Sequence, residues 1–162
     1  MTNKEVAVIL YKIAGLMEFN DENPFKVRSY HMAAETADSL SKPFSELVDE
    51  GGVERLKELP GIGDAISQKI LEILSTGTCE YFEELKKVTP ETVLDLTRVD
   101  AIGPKMAHLL YQQFHISSLT ELASFAEAGG LATVPRLGPK MQERIRASLH
   151  KLANMDTGEL RK

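Results

Sequence analysis

The sequence predicts an all-α fold, and three observations carry that prediction. Apolar residues recur at helical spacing along nearly the whole chain. Residue pairs that start helices stand in front of many of those stripes. A short apolar–glycine motif followed by a helix start occurs three times. No segment alternates with period two for long enough to read as a strand, and about ten short helices account for the pattern.

In chain order, Thr2 and Glu5 form a capping box ahead of Val6, Ile9, Leu10, Ile13 and Met17, which share one helix face. Asn23-Pro24 joins an N-cap to a first-turn proline, and Val27, Tyr30, Ala34 and Ala37 form the next stripe. A short helix follows Ser45 and stops at Gly51-Gly52. Thr89-Pro90 opens another helix, and Ser118 with Glu121 caps another. The stretch from Asp156 to Lys162 lacks a pattern and reads as a frayed tail.

The 162 residues suffice for one domain or two small ones, and 43 % hydrophobic content allows a real core. Cys79 is the single cysteine, which excludes an intrachain disulfide and a cysteine-rich metal site and suits a reducing compartment. No apolar run approaches the roughly 18 residues of a membrane span, and the N-terminal MTNKEVAV is not a secretory segment. A cytoplasmic monomer without membrane contact is expected. His31, His108, His115 and His150 lack metal-ligand spacing, and no P-loop or nucleophile-elbow motif occurs.

The three copies run Leu59-Pro60-Gly61-Ile62-Gly63, Val99-Asp100-Ala101-Ile102-Gly103 and Val134-Pro135-Arg136-Leu137-Gly138, each leading into a helix. A short apolar stretch precedes each copy, at Val53–Leu56, Val93–Leu96 and Leu131. The unit is therefore helix, tight hairpin, helix. A helix that begins at a glycine presents unpaired backbone N–H groups and a positive dipole end. That end is a cradle for an anion, above all a phosphate. Lys105 and Lys140 follow the second and third cradles by two residues and add charge to the same guest. Such contacts position a protein on DNA without reading sequence.

Net charge is −5, which opposes a general basic footprint. The charge is uneven: residues 1–56 carry −4, residues 57–98 carry −3, and residues 99–162 carry +2. A DNA face must therefore be local and is richest in the last third. The acidic runs Asp49-Glu50 and Glu83-Glu84 read as solvated faces.

The copies resemble the helix-hairpin-helix motif. Taken with Asn23-Pro24-Phe25-Lys26-Val27-Arg28-Ser29-Tyr30, Ala33-Ala34, Gly77-Thr78 and Tyr81-Phe82-Glu83-Glu84-Leu85, their order and spacing over residues 3–152 resemble the N-terminal half of family X DNA polymerases of the bacterial and archaeal type. The resemblance implies a small lyase-like helical domain over residues 1–88, a helix-hairpin-helix subdomain over 89–154 and a tail over 155–162. It implies gapped or nicked DNA as the partner, held on both sides of a bend, with other repair enzymes or a polymerase palm as further partners and a nucleoid-associated location. The family's palm aspartates have no counterpart in this sequence, where no Asp-x-Asp occurs, so polymerisation is not expected of it.

Residue by residue, the resemblance assigns Lys69 to the lysine that forms a Schiff base with an abasic sugar. An amine nucleophile must be neutral, which desolvation or neighbouring cations favour. Lys26 and Tyr30 match the family's 5′-phosphate pocket. The chain departs where animal relatives place further lysines, having Ala65 and Tyr81 there, and Asp64 stands beside the first cradle. Copies two and three also replace the first hairpin glycine with Ala101 and Arg136. If that position needs positive φ, each substitution costs roughly 1 kcal/mol or more. In the family, hairpin carbonyls can hold a monovalent cation (Na+ or K+); the matching carbonyls are those of Leu59, Ile62, Val99 and Ile102. No other cofactor is required.

The expected DNA contacts are Lys26, Tyr30, Gly61, Ile62, Gly63, Gly103, Lys105, Met106, Arg136, Gly138, Lys140, Arg144 and Lys151. Three readings follow: a DNA-binding module without catalysis, an abasic-site lyase using Lys69, and a protein-interaction scaffold whose hairpins have lost DNA affinity.

Overall fold

The computed structural model describes the backbone of residues 1–160 and the side chains of residues 1–155. Among the described residues there is no strand, so the chain is all-α. Among the described residues eight α-helices and two 3-10 stretches follow one another, and the chain divides into two compact units at Thr89-Pro90. A residue before proline is driven out of the α region, which makes this junction a natural break.

The first unit holds α1 (Asn3–Phe19), α2 (Pro24–Ser39), α3 (Phe44–Lys57), α4 (Asp64–Thr76) and α5 (Glu80–Val88). Helix α1 lies along α2 and also touches α4 and α5, while α3 leads into α4. The α1 stripe behaves as its spacing predicts: Val6, Leu10, Ile13 and Met17 are buried, and Ile9 is half-buried. Val27, Tyr30, Ala34 and Ala37 of α2 are buried against it. Each fully buried Leu or Ile of this kind contributes about 1.5–3 kcal/mol.

Helix α3 differs from expectation at its start and carries an added segment after the glycine pair. It starts at Phe44, whose backbone N–H donates to Asn3 Oδ1 at 2.9 Å. It comprises two helical segments that meet at Gly52, whose φ of 64° and ψ of −150° are not helical, and the second segment runs on to Lys57. The first segment thus stops at Gly51-Gly52 as expected, and the second buries Leu56 in the core.

The second unit begins with a 3-10 stretch (Glu91–Arg98), followed by α6 (Pro104–Phe114), α7 (Leu119–Glu127), a second 3-10 stretch (Gly130–Thr133) and α8 (Pro139–Leu160). Leu96, Leu110, Leu122, Leu131 and Ile145 form its core. The elements that lead into the second and third hairpins are therefore 3-10 stretches of eight and four residues, where α-helices were expected. Helix α8 continues to Leu160, past Asp156 where fraying is expected, and positions 161–162 lie outside the described residues. No helix among the described residues is long and apolar enough to cross a membrane.

Candidate nucleic-acid interface

The three hairpins share one backbone geometry. Leu59 O accepts from Ile62 N–H at 3.2 Å, Val99 O from Ile102 N–H at 3.1 Å, and Val134 O from Leu137 N–H at 3.4 Å. The third residue of each turn has positive φ: 76° at Gly61, 74° at Ala101 and 69° at Arg136. Proline occupies the second position in the first and third copies. This is the pattern of a type II turn, which demands φ > 0 at its third residue. The fourth residues, Ile62, Ile102 and Leu137, are buried and anchor each turn to its core. Ala101 and Arg136 consequently carry left-handed strain of roughly 1–2 kcal/mol each.

Gly61 has a second constraint. A Cβ there would lie 3.1 Å from Met32 Cβ and 3.5 Å from the Ala33 backbone nitrogen. Thr36 Oγ1 donates to Pro60 O at 2.7 Å and ties the same turn to α2.

The second hairpin glycines have no such internal reason. Gly63 and Gly103 have φ of −102° and −95°. No heavy atom of the chain lies within 4 Å of a Cβ placed on Gly63, Gly103 or Gly138. All three leave open space directly in front of a helix N-terminus.

The first two of those N-termini are bare where others are filled. Thr2, Asn23 and Ser118 cap α1, α2 and α7 through their side chains. Asn3 Oδ1 serves α3, and Glu72 Oε2 accepts from Glu80 N–H at 2.6 Å at the start of α5. Helices α4 and α6, which follow the first two hairpins, have no side-chain cap. Their N–H groups and dipole ends face the space left by Gly63 and Gly103.

In the first unit the hairpin borders a cleft of about 420 Å³ lined by Lys26, Ser29, Tyr30, Gly61, Gly63, Asp64, Lys69 and Tyr81, among others. Five sequence-predicted residues (Lys26, Tyr30, Gly61, Gly63 and Lys69) thus line one cleft. Tyr30 is buried and stacked on Tyr81, with ring centroids 5.9 Å apart. Burial pushes the Tyr30 phenol well above its ordinary pKa, so it stays a neutral hydrogen-bonding group. The Lys69 and Lys26 ammoniums sit 5.1 and 5.7 Å from the Tyr81 ring centroid. Lys69 is half-buried, as its place beside Ile66, Ile70 and Ile73 predicts. Asp64, the unfavourable carboxylate beside the cradle, is paired with Lys57. That pairing, with Glu54 assisting, raises the Lys57 pKa.

In the second unit Lys105, Arg136, Lys140 and Lys151 are exposed, and Met106 is half-buried on the first turn of α6. Arg144 has a partner within the unit. Its Nη2 and Nε bind both Asp100 carboxylate oxygens at 2.7 and 3.0 Å. Asp100 N–H also donates to Ser148 Oγ at 2.9 Å. Arg144 therefore fastens the second hairpin to α8. Lys151 stands about 18 Å along α8 from the helix start, given a rise of 1.5 Å per residue, so it does not share the third cradle.

Tyr81 was not among the expected contacts. It reaches the cleft because Gly77, with φ 87°, ends α4 and turns the chain back into α5. Only the Gly-Thr turn hints at this return; the pairing of Tyr81 with Lys69 is tertiary.

Comparison with known families places these features together. The helix-hairpin-helix domain family matches residues 1–79, and the SAM-like helix-hairpin-helix tandem family matches residues 93–151. The chain has an all-α helix-hairpin-helix fold. It is 28 % identical over 149 residues to the DNA polymerase/3′-5′ exonuclease PolX of Bacillus subtilis (strain 168), covering 92 % of this chain and 25 % of that protein. It is 33 % identical over 100 residues to DNA polymerase lambda of Arabidopsis thaliana, covering 60 % of this chain and 18 % of that protein. UvrABC system protein C of Synechococcus sp. (strain JA-3-3Ab) is 38 % identical over 72 residues, or 44 % of this helix-hairpin-helix chain and 10 % of that protein. The resemblance to family X DNA polymerases therefore holds, and the chain spans a quarter or less of these relatives' length.

Proposed function

We propose that this helix-hairpin-helix protein binds DNA through the sugar–phosphate backbone, without reading sequence, at gaps or nicks in duplex repair intermediates. One observation carries the reading. Gly63, Gly103 and Gly138 open onto empty space with no conformational or packing need for glycine, and the helices after the first two are uncapped. A phosphate fits that space and accepts from those N–H groups. Lys105 and Lys140 add long-range attraction. The turn carbonyls of Leu59 and Val99 each accept one turn hydrogen bond, leaving a lone pair that would suit Na+ or K+ bridging to the same phosphate. Fluorescence anisotropy with gapped, nicked and intact duplexes over a salt series tests this. Lys105→Ala and Lys140→Ala should each flatten the log–log salt slope by about one unit. Unchanged slopes would remove these cations from the interface, and absence of binding to any duplex would leave a protein-interaction scaffold.

The cleft favours a second activity on the same DNA. Lys69 is half-buried beside the first cradle, with the Lys26 ammonium on the same ring. Neutral Lys69 Nζ would attack C1′ of a 5′-terminal abasic sugar and lose water to give an imine. Loss of a C2′ proton would then expel the 3′ phosphate by β-elimination, and hydrolysis would free the lysine. Borohydride trapping should give a covalent band that Lys69→Ala abolishes. No band on DNA shown to be bound would leave a binding module only.

A further inference from the structure

We infer that Tyr81 is a positioning residue that holds the Lys26 and Lys69 ammoniums over the hairpin cleft and keeps Lys69 away from a set of carboxylates behind it. The inference rests on the phosphate-binding reading of that cleft. Two clefts meet at Lys69 and Tyr81. The first, of about 420 Å³, contains the cradle. The second, of about 370 Å³, is lined by Gln68, Glu72, Glu80 and Glu84 besides Lys69 and Tyr81. Lys69 thus has two destinations for its ammonium, a phosphate guest on one side and three carboxylates on the other.

Its observed place is over the Tyr81 ring at 5.1 Å, and Lys26 comes to the same ring at 5.7 Å from α2. Neither ammonium forms an ion pair among the described residues. Stacking on buried Tyr30 fixes the ring plane, with 21° between the two rings. A cation over a tyrosine face and an exposed ion pair are of comparable strength. Removal of the ring should therefore tip the balance, releasing Lys69 to Glu72 or Glu84 and Lys26 to solvent. The cleft would lose two gathered cations while the protein kept its net charge.

The test is a cycle of variants with a gapped duplex bearing a 5′-phosphate. Tyr81→Leu should weaken binding about fivefold, the scale of one cation–ring contact, whereas Tyr81→Phe should keep wild-type affinity. Glu72→Gln with Glu84→Gln should raise affinity more in the Tyr81→Leu background than in the wild type, because only there do the carboxylates hold Lys69. The carboxamide introduced by Glu72→Gln would still accept from the Glu80 N–H, so the start of α5 survives. A ring is also visible directly: the ε-methylene protons of Lys69 should show an upfield ring-current shift in the wild type and Tyr81→Phe, lost in Tyr81→Leu. Equal gains in the two backgrounds, or a Tyr81→Phe defect as large as that of Tyr81→Leu, would overturn the inference. If the wild type binds no DNA while the ring-current shifts behave as stated, the phosphate reading fails and the placement of Lys69 by Tyr81 stands.

Discussion

A glycine at a hairpin can be demanded by the chain's own fold or by a guest, and the hairpins contain both kinds. Gly61 has φ 76° and Met32 pressing on the missing Cβ, so the fold requires it. Gly61→Ala should destabilise the first unit by about 1–2 kcal/mol. Gly103 has φ −95° and nothing within 4 Å, so the fold does not require it. Gly103→Ala should cost no more than about 1 kcal/mol, the N-cap preference for glycine over alanine, yet weaken DNA binding several-fold, because the methyl group would occupy the space proposed for phosphate. Thermal unfolding and anisotropy on the two variants separate the cases. A large stability loss at Gly103→Ala, or unchanged DNA affinity, would defeat the assignment of that space to a ligand. Ala101 and Arg136 complete the contrast. They hold the strained left-handed position with a side chain in place, and Ala101→Gly should stabilise the second unit by roughly 0.5–1 kcal/mol.

The same logic extends to the pair that joins the second hairpin to α8. Asp100 accepts two hydrogen bonds from Arg144, and those bonds hold its carboxyl below the usual carboxylate pKa. A depressed folded-state pKa means that the stabilisation is present above the ordinary value, near 3.9, and is lost as pH falls through the lowered one. Wild type should therefore melt above Asp100→Asn at neutral pH, and the gap should close in acid below about pH 4. A gap independent of pH would show that the pair does not act through the ionised carboxylate. Arg144 itself illustrates what the sequence hides. Its charge and position on α8 are plain in the sequence, but Asp100 lies 44 residues away, and only folding brings the two together. The caps were legible because they are local: Thr2, Asn23 and Ser118 bond to N–H groups two or three residues on. The stripes of α1 and α2 were legible because period fixes which face is buried. The break at Gly52 was legible because a glycine pair is local punctuation, whereas the 3-10 geometry of Glu91–Arg98 was not, since the same residues suit an α-helix and tertiary packing makes the choice. Tyr81 escaped for the same reason as Arg144: its significance lies in which lysines meet its ring.

Over the whole chain, the decisive property is that two compact units each carry hairpin cradles of their own. Residues 1–89 contain the first hairpin and the core of α1 to α5, with Leu10, Ile13, Leu16, Phe44 and Ile70 fully buried. The unit that begins at Pro90 contains the other two hairpins on a core that includes Leu96, Leu110, Leu122 and Ile145. Each unit closes its own apolar interior, so a chain divided between Thr89 and Pro90 should give a first piece that is helical and unfolds cooperatively by circular dichroism. Both pieces should bind gapped DNA weakly, because each offers few phosphate contacts. Joined in one chain, the second contact becomes intramolecular, with an effective concentration in the millimolar range for a short connection. The intact protein should then bind gapped DNA at least about a hundredfold more tightly than either piece, with a salt slope near the sum of theirs. Affinity and slope of the whole equal to those of the stronger piece would mean that only one unit engages DNA. The hairpin geometry shared by Gly63 and Gly103 argues against that outcome, since the same bare helix start is built once in each unit.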